Sequence, residues 1–283
     1  MKKVVITGSG GQLGKELMQL LKDDYLVHPF TKQQLDITNR KQIEETLEQI
    51  KPDFLINTAA YTQVDLCETN IDNAYLINGI APYYLACEAK EKKVKFLHIS
   101  TDYVFDGKKT EPYKEDDETY PHTIYGKSKL LGEEFMRLAY EESTIIRTSW
   151  LYGHNGKNFV NTIKKLAAST KEIRVVDDQF GSPTYTKDLA TAIKQLLTKP
   201  AGIYHVTNSG ICTWYEFAME IVKYLQSDAV VTPVSTEEYG LATPRPKYSV
   251  LSHKKINTNG IHMRNWKKGL HEFLAKEDGK NGN

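Results

Sequence analysis

The chain opens on a short apolar run, Lys3 to Thr7 (KVVIT), and passes at once into Gly8-Ser9-Gly10-Gly11-Gln12-Leu13-Gly14, where a helical pattern begins. No other stretch limits the fold as tightly. Glycines at positions 8, 11 and 14 allow a tight turn, close backbone approach to a pyrophosphate, and close packing of helix on strand. The helix N-terminus then offers free N–H groups and the positive end of its dipole to phosphates. The competing explanation is a glycine-rich turn with no ligand, and the strand–loop–helix setting weighs against it. The loop therefore predicts dinucleotide binding.

The rest of the chain continues the alternation. Strands are predicted at Tyr25–Phe30, Phe54–Asn57, Val94–Ser100 and Ile145–Thr148. Helices are predicted at Leu13–Leu21, Arg40–Ile50 (capped by Thr38 or Asn39), Asn73–Ala89 and Tyr125–Tyr140. This order argues for an α/β fold, a Rossmann-type doubly wound parallel sheet with helices on both faces. Beyond residue 150 the pattern loosens. Helices near Phe159–Ala168, Asp188–Leu197, Trp214–Leu225 and Trp266–Ala275 surround short strands at Ile173–Val176 and Tyr204–Val206 and a Pro-rich loop at Thr243–Pro246. The expected division is a dinucleotide-binding domain over 1–150, with returns near 173–206, and a smaller, mainly substrate-binding C-terminal lobe over 151–283.

Composition narrows the function classes. A chain of 283 residues, 40% hydrophobic, can bury a full α/β core. A net charge of +1 gives no electrostatic footprint for nucleic acid or anionic membrane. No run is long enough to cross a bilayer, and the N-terminus lacks the apolar stretch of a secretory signal. Cys67, Cys87 and Cys212 are odd in number and widely spaced, which reads as reduced thiols without a zinc site. A cytoplasmic protein is expected.

The second strand ends in Pro29-Phe30-Thr31-Lys32-Gln33-Gln34, with no acid to grip the ribose hydroxyls of NAD. Thr31 and Lys32 can instead meet a 2′-phosphate, so NADPH is expected, with NADH left open; a solvated Lys32 is the plainer alternative. Asp36 and Ile37 either line the adenine or, for Asp36, make a turn. The third strand leads into Asn57-Thr58-Ala59-Ala60-Tyr61-Thr62, where small residues would let a cofactor lie against the strand end. Tyr125 and Lys129 stand four apart at the start of a helix, on one face. Reduction of a ketone needs a proton at the oxygen as hydride reaches the carbon. A phenol can give it if a neighbouring ammonium lowers its pKa. The same spacing occurs on ordinary surface helices, and the position gives it weight. The fourth strand ends His98-Ile99-Ser100-Thr101-Asp102, which puts the Thr101 hydroxyl at the carboxyl edge of the sheet, where it can hydrogen-bond a keto oxygen beside Tyr125. His98 reads as a core residue with no role.

At these residues the chain resembles the extended short-chain dehydrogenase/reductases, and within them the dTDP-4-dehydrorhamnose reductase family. The segments TGSGGQLG, LDITN, NTAAYTQVD, STDYVFDG, YGKSKLLGE, RTSWLYG, DQFGSPT and RPKYSVL carry the resemblance over nearly the whole chain. It implies reduction of a dTDP-linked ketosugar, with Tyr125 as proton donor, Lys129 as its partner and Thr101 as the tuning hydroxyl. It also implies that Gly11, Gln12, Leu13, Asp36, Ile37, Ala60, Tyr61 and Thr62 contact the cofactor. Asp102 and Trp150 would meet the sugar or its nucleotide, although a Trp there also suits a packed core. Arg245 would take the diphosphate. Asn39, Thr58, Leu66 and Cys67 depart from the family pattern without removing a catalytic group. Some members dimerise around a metal held by glutamates. Glu16 stands in a suitable position, but no full ligand set is identifiable here, so no metal ligand is assigned, and a bound magnesium and a homodimer stay open. A reductase or epimerase of another nucleotide sugar, and a non-catalytic cofactor-binding regulatory subunit, are the competing readings.

Overall fold

The computed structural model describes residues 1–240 and 242–280; residues 281–283, the end of the expected lobe, lie outside them. The first half contains strands β1 (Lys3–Thr7), β2 (Leu26–Phe30), β3 (Phe54–Asn57), β4 (Lys95–Thr101) and β5 (Thr144–Thr148). Between them run helices α1 (Gln12–Leu21), α2 (Arg40–Ile50), α3 (Val64–Thr69), α4 (Ile71–Tyr75), α5 (Ala81–Glu91) and α6 (Ile124–Ala139). The second half adds β6 (Leu151–Tyr152), α7 (Phe159–Ser169), β7 (Glu172–Val176), β8 (Phe180–Gly181), β9 (Thr184–Tyr185), α8 (Thr186–Leu196), β10 (Gly202–His205) and β11 (Cys212–Thr213). It continues with α9 (Trp214–Tyr224), β12 (Val230–Val234), α10 (Thr236–Tyr239), α11 (Lys254–Thr258) and α12 (Trp266–Lys280).

Six strands form one parallel sheet in the order β10-β5-β4-β3-β1-β2. Successive side chains along each strand enter opposite cores, as strand geometry requires. Val4, Ile6, Phe54, Ile56, Leu97 and Ile146 pack with Leu17 and Leu21 of α1 and Leu189 and Ile193 of α8. Val5, Leu55, Phe96 and Ile145 pack with Ile43 of α2, Leu85 of α5 and Met136 of α6 on the other face. Each such aliphatic side chain contributes about 1.5–3 kcal/mol on full burial. The chain leaves β1 for β2 on one side and reaches β3 on the other. The carboxyl ends of β1 and β3 are thus a topological switch point, where open α/β sheets take their ligands.

A third core belongs to the lobe, where Val160 and Ile163 of α7, Phe217 and Ile221 of α9, and Leu270 and Phe273 of α12 close over Ile173 and Val231. β7 pairs with β12 rather than with the large sheet. The return to that sheet therefore begins at Thr186, where α8 leads to β10 beside β5. Asn39 caps α2, accepting from the Gln42 N–H, while Thr38 turns back to Asp36. The helix expected over Asn73–Ala89 is interrupted by a π turn at Leu76–Ile80. No helix among the described residues is long and apolar enough to cross a membrane.

Candidate active site

A cleft of about 930 Å³ runs along the carboxyl ends of the central strands. At one end the turn after β1 sets Gly8 at φ 69°, and a Cβ there would stand 2.5 Å from the Ala59 nitrogen. Gly14 lets α1 approach the same turn, since its Cβ would lie 2.6 Å from the Gly8 carbonyl oxygen. Gly11 is the N-cap and has no side chain to cap the helix, so the amides of the first turn, with Gln12 and Leu13, face the cleft uncovered. That arrangement fits a pyrophosphate. Thr31 and Lys32 line the far wall beyond β2, and Asp36 and Ile37 lie beside them. Asp36 makes the turn that was its alternative while lining the cleft: its carboxylate accepts from the Thr38 N–H (2.9 Å) and hydroxyl (2.8 Å). These bonds to Thr38 hold its pKa below the usual carboxylate value.

Ala59, Ala60, Tyr61 and Thr62 form the next wall. Asn78, carried by the π turn, holds them in place. Its Oδ1 accepts from the Tyr61 N–H (2.8 Å) and its Nδ2 donates to the Tyr61 carbonyl (3.0 Å) and to the Ser128 hydroxyl (3.1 Å). Sequence periodicity gave no sign of Asn78, because a π turn shifts side chains off the 3.6-residue repeat that a helix pattern assumes.

At the reacting end, Thr123 caps α6 by accepting from the Gly126 N–H at 3.0 Å, and so fixes Tyr125 in the first turn. Tyr125, Lys129, Thr101 and Asp102 all line the cleft. One turn beyond Lys129, Glu133 is buried in a bidentate pair with Arg147 (2.6 Å at its shortest) and also accepts from the Ser100 hydroxyl. This pair anchors α6 to β4 and β5. The Lys129 ammonium, however, does not draw the phenol toward neutrality here. Burial pushes the Tyr125 phenol well above its ordinary value, with the Thr101 hydroxyl pulling the other way. Lys129 is itself lowered by burial to about 8. Its Nζ donates to the Ile99 carbonyl at 2.6 Å and lies 3.1 Å from His98 Nε2. His98, expected to be core without a role, is buried but touches the lysine; strand alternation predicts its burial and says nothing of its neighbour.

Asp102 is 3% exposed. Its Oδ1 accepts from the Thr101 hydroxyl at 2.9 Å, and its Oδ2 has no hydrogen-bond partner among the described residues. Burial raises its pKa to about 6, offset in part by the Ser249 and Thr101 hydroxyls. Trp150 adopts φ 47° and stacks on Trp214 with ring centroids 3.6 Å apart, so it both packs and lines the cleft. Beyond it lies a second cavity of about 250 Å³ bordered by Asp102, Trp150 and Arg245. The Arg245 guanidinium reaches it while bonded to Asp65 (2.7 Å) and to the Thr243 carbonyl (3.1 Å). The structure thus brings every residue assigned from the sequence to catalysis, cofactor or substrate to one cleft or its extension. Glu16 is on α1 away from it, and among the described residues no cluster of three His, Cys, Asp or Glu side chains could hold a metal.

Comparison with known proteins gives a consistent result. The family model described as the RmlD substrate binding domain matches residues 1–278. The spore coat polysaccharide biosynthesis protein SpsK of Bacillus subtilis is 54% identical over 277 residues, covering 98% of each chain. A dTDP-4-dehydrorhamnose reductase of Aggregatibacter actinomycetemcomitans is 39% identical, over 97% of this chain and 99% of its own. The crystal structure of dTDP-4-dehydrorhamnose reductase from Bacillus anthracis in complex with NADP superposes with a TM-score of 0.95 at 45% identity, covering 98% of this chain and all of that one.

Proposed function

The chain belongs to the dTDP-4-dehydrorhamnose reductase family of NAD(P)H-dependent oxidoreductases, and from that premise we propose that it reduces dTDP-4-dehydro-L-rhamnose to dTDP-L-rhamnose with NADPH, Tyr125 being the proton donor. The observation that carries this reading is the meeting of Tyr125, Lys129 and Thr101 in one cleft with the glycine turn and the open end of α1. NADPH, when bound, supplies the hydride that reaches carbon 4 of the sugar.

The chain's own groups do the rest. The uncapped amides at Gln12 and Leu13 take the pyrophosphate, with Gly11, whose own N–H closes the turn onto the Gly8 carbonyl, allowing the close approach, and Thr31 and Lys32 take the 2′-phosphate. Tyr125 gives its proton to the keto oxygen, which the Thr101 hydroxyl holds by a hydrogen bond on turning away from Asp102 Oδ1. With cofactor and ketosugar in place, a charged Lys129 one helical turn from the phenol lowers the cost of forming the phenolate. Asp102 Oδ2, buried and without a hydrogen-bond partner among the described residues, is suited to a sugar hydroxyl. Arg245 is suited to the diphosphate, for which a planar fork is the better cation. In this division residues 1–150 carry the cofactor and the lobe within 151–283 carries most of the nucleotide sugar. The identity with SpsK supports delivery of the product to a surface polysaccharide, and the three free cysteines accord with a cytoplasmic enzyme.

The test is NADPH consumption with dTDP-, UDP- and GDP-linked 4-ketosugars, in wild type and Tyr125→Phe. Wild type should turn over the dTDP sugar. The variant should lose at least about 100-fold in kcat, the usual contribution of a positioned acid, with cofactor affinity nearly unchanged. Full activity in Tyr125→Phe, or preference for another nucleotide, defeats the reading.

A further inference from the structure

Behind the reacting end of the cleft a file of buried polar side chains leads to Lys129, and its other members have no part in the mechanism above. Thr7 Oγ1 donates to Asn57 Oδ1 at 2.6 Å, Asn57 Nδ2 lies 2.9 Å from His98 Nδ1, and His98 Nε2 lies 3.1 Å from Lys129 Nζ. Thr7, Asn57 and His98 are fully buried, and Lys129 is 1% exposed. One contact sets every direction in the file. The backbone N–H of Ala59 meets Asn57 Oδ1 at 3.1 Å. A backbone N–H can only donate, so that atom is the amide oxygen and the NH2 faces the imidazole. The NH2 also only donates, which makes Nδ1 the accepting nitrogen of His98. In a neutral ring the proton then sits on Nε2 and points at Lys129. An ammonium has no lone pair to receive it, whereas a free amine does.

We propose that His98 is a positioning residue: locked by Asn57 as the Nε2–H tautomer, it biases Lys129 toward the free amine in the cofactor-free protein. The proposal deepens the reading in which Lys129 serves Tyr125, because the charge that eases phenolate formation is then set from position 98. Other groups around the amine do not reverse the bias. The Ile99 carbonyl accepts from either form. Glu133 on α6 favours the ammonium, but Arg147 and Ser100 already engage its carboxylate. The Tyr125 phenol is neutral, and Asp102 at the end of β4 is held toward its acid form by burial. Burial moves the pair the same way, lowering His98 well below its ordinary value and Lys129 to about 8.

The experiment is nitrogen NMR of the full-length, cofactor-free protein labelled at histidine and lysine. In wild type the His98 signals should show a protonated Nε2 and a bare Nδ1, and Lys129 should titrate below the ordinary lysine range. His98→Phe keeps a ring there and removes the N–H that favours the amine. Asn57→Asp keeps the ring but draws its proton to Nδ1. Each should raise the Lys129 midpoint by about one pH unit, the size of a typical environmental shift. A proton on Nδ1 in wild type, or an unmoved Lys129 midpoint in a folded variant, overturns the proposal. If neither variant folds, the wild-type tautomer decides alone. No substrate enters the measurement, so a wrong substrate assignment would leave its outcome intact, and a wrong tautomer would leave the reductase reading intact.

Discussion

At the scale of single residues, the site is built from groups whose chemistry the sequence announces and whose environment it hides. Tyr125 and Lys129 are legible because one helical turn separates them, and Thr101 because it ends a strand. Their burial is not legible, and burial is what raises the phenol and lowers the amine. Asp102 shows the consequence for stability. Its folded pKa of about 6 stands above the ordinary 3.8, so the fold favours the neutral acid. The associated stability is fully present below about pH 4 and is lost as pH rises through about 6. Asp102→Asn should therefore stabilise the protein by roughly 2–3 kcal/mol at pH 7.5 and change little at pH 4, as read by thermal melts at both values. Equal effects at the two pH values would show that the carboxyl is not the cause. His98 and Asn78 were beyond sequence reasoning for a different reason. Each acts through a partner brought from another element, Lys129 in one case and the Tyr61 backbone in the other.

At the scale of elements, the glycine turn and α1 were the most legible part of the chain, because close backbone approach leaves glycine as the economical solution. Gly8 combines a left-handed backbone with contact against Ala59. Gly8→Ala should cost at least about 1–2 kcal/mol for the strained backbone, with more from the clash. It should also weaken NADPH binding at least about tenfold, measured by fluorescence titration, since the turn positions the α1 amides. Unchanged affinity would mean that the turn does not hold the phosphates. Elements of the lobe were harder to read. β12 carries Pro233 inside its run, which argues against a central strand, and it is tolerated because β12 pairs only with β7. The two-residue strands β6, β8, β9 and β11 are too short for any periodicity to mark.

At the scale of the whole molecule, the sequence was sufficient for the sheet and its two covering layers, since short continuous apolar runs alternate with helical patterns, and successive residues of each run enter one core or the other. The lobe's separate core depends on long-range pairing between residues near 173 and 231, which no local pattern reports. The cleft lies between these bodies of packing, with Gly8 and Thr31 at one end and Trp150 and Trp214 at the other. A cofactor seated there binds only the folded state. At 100 times its Kd, NADPH should stabilise the protein by about 2.7 kcal/mol, a rise of several degrees in Tm. NADH at equal concentration should give a smaller rise if Thr31 and Lys32 read the 2′-phosphate. Equal shifts would remove that assignment.

The most direct test of the central claim follows the hydrogen itself. Wild-type protein is given the dTDP-4-ketosugar and NADPH carrying deuterium at its transferable position, and the product is read by NMR. The account predicts one deuterium at sugar carbon 4 of dTDP-L-rhamnose, formed in proportion to the NADPH consumed. A product with no deuterium at carbon 4, or NADPH consumed without reduced sugar, would contradict it.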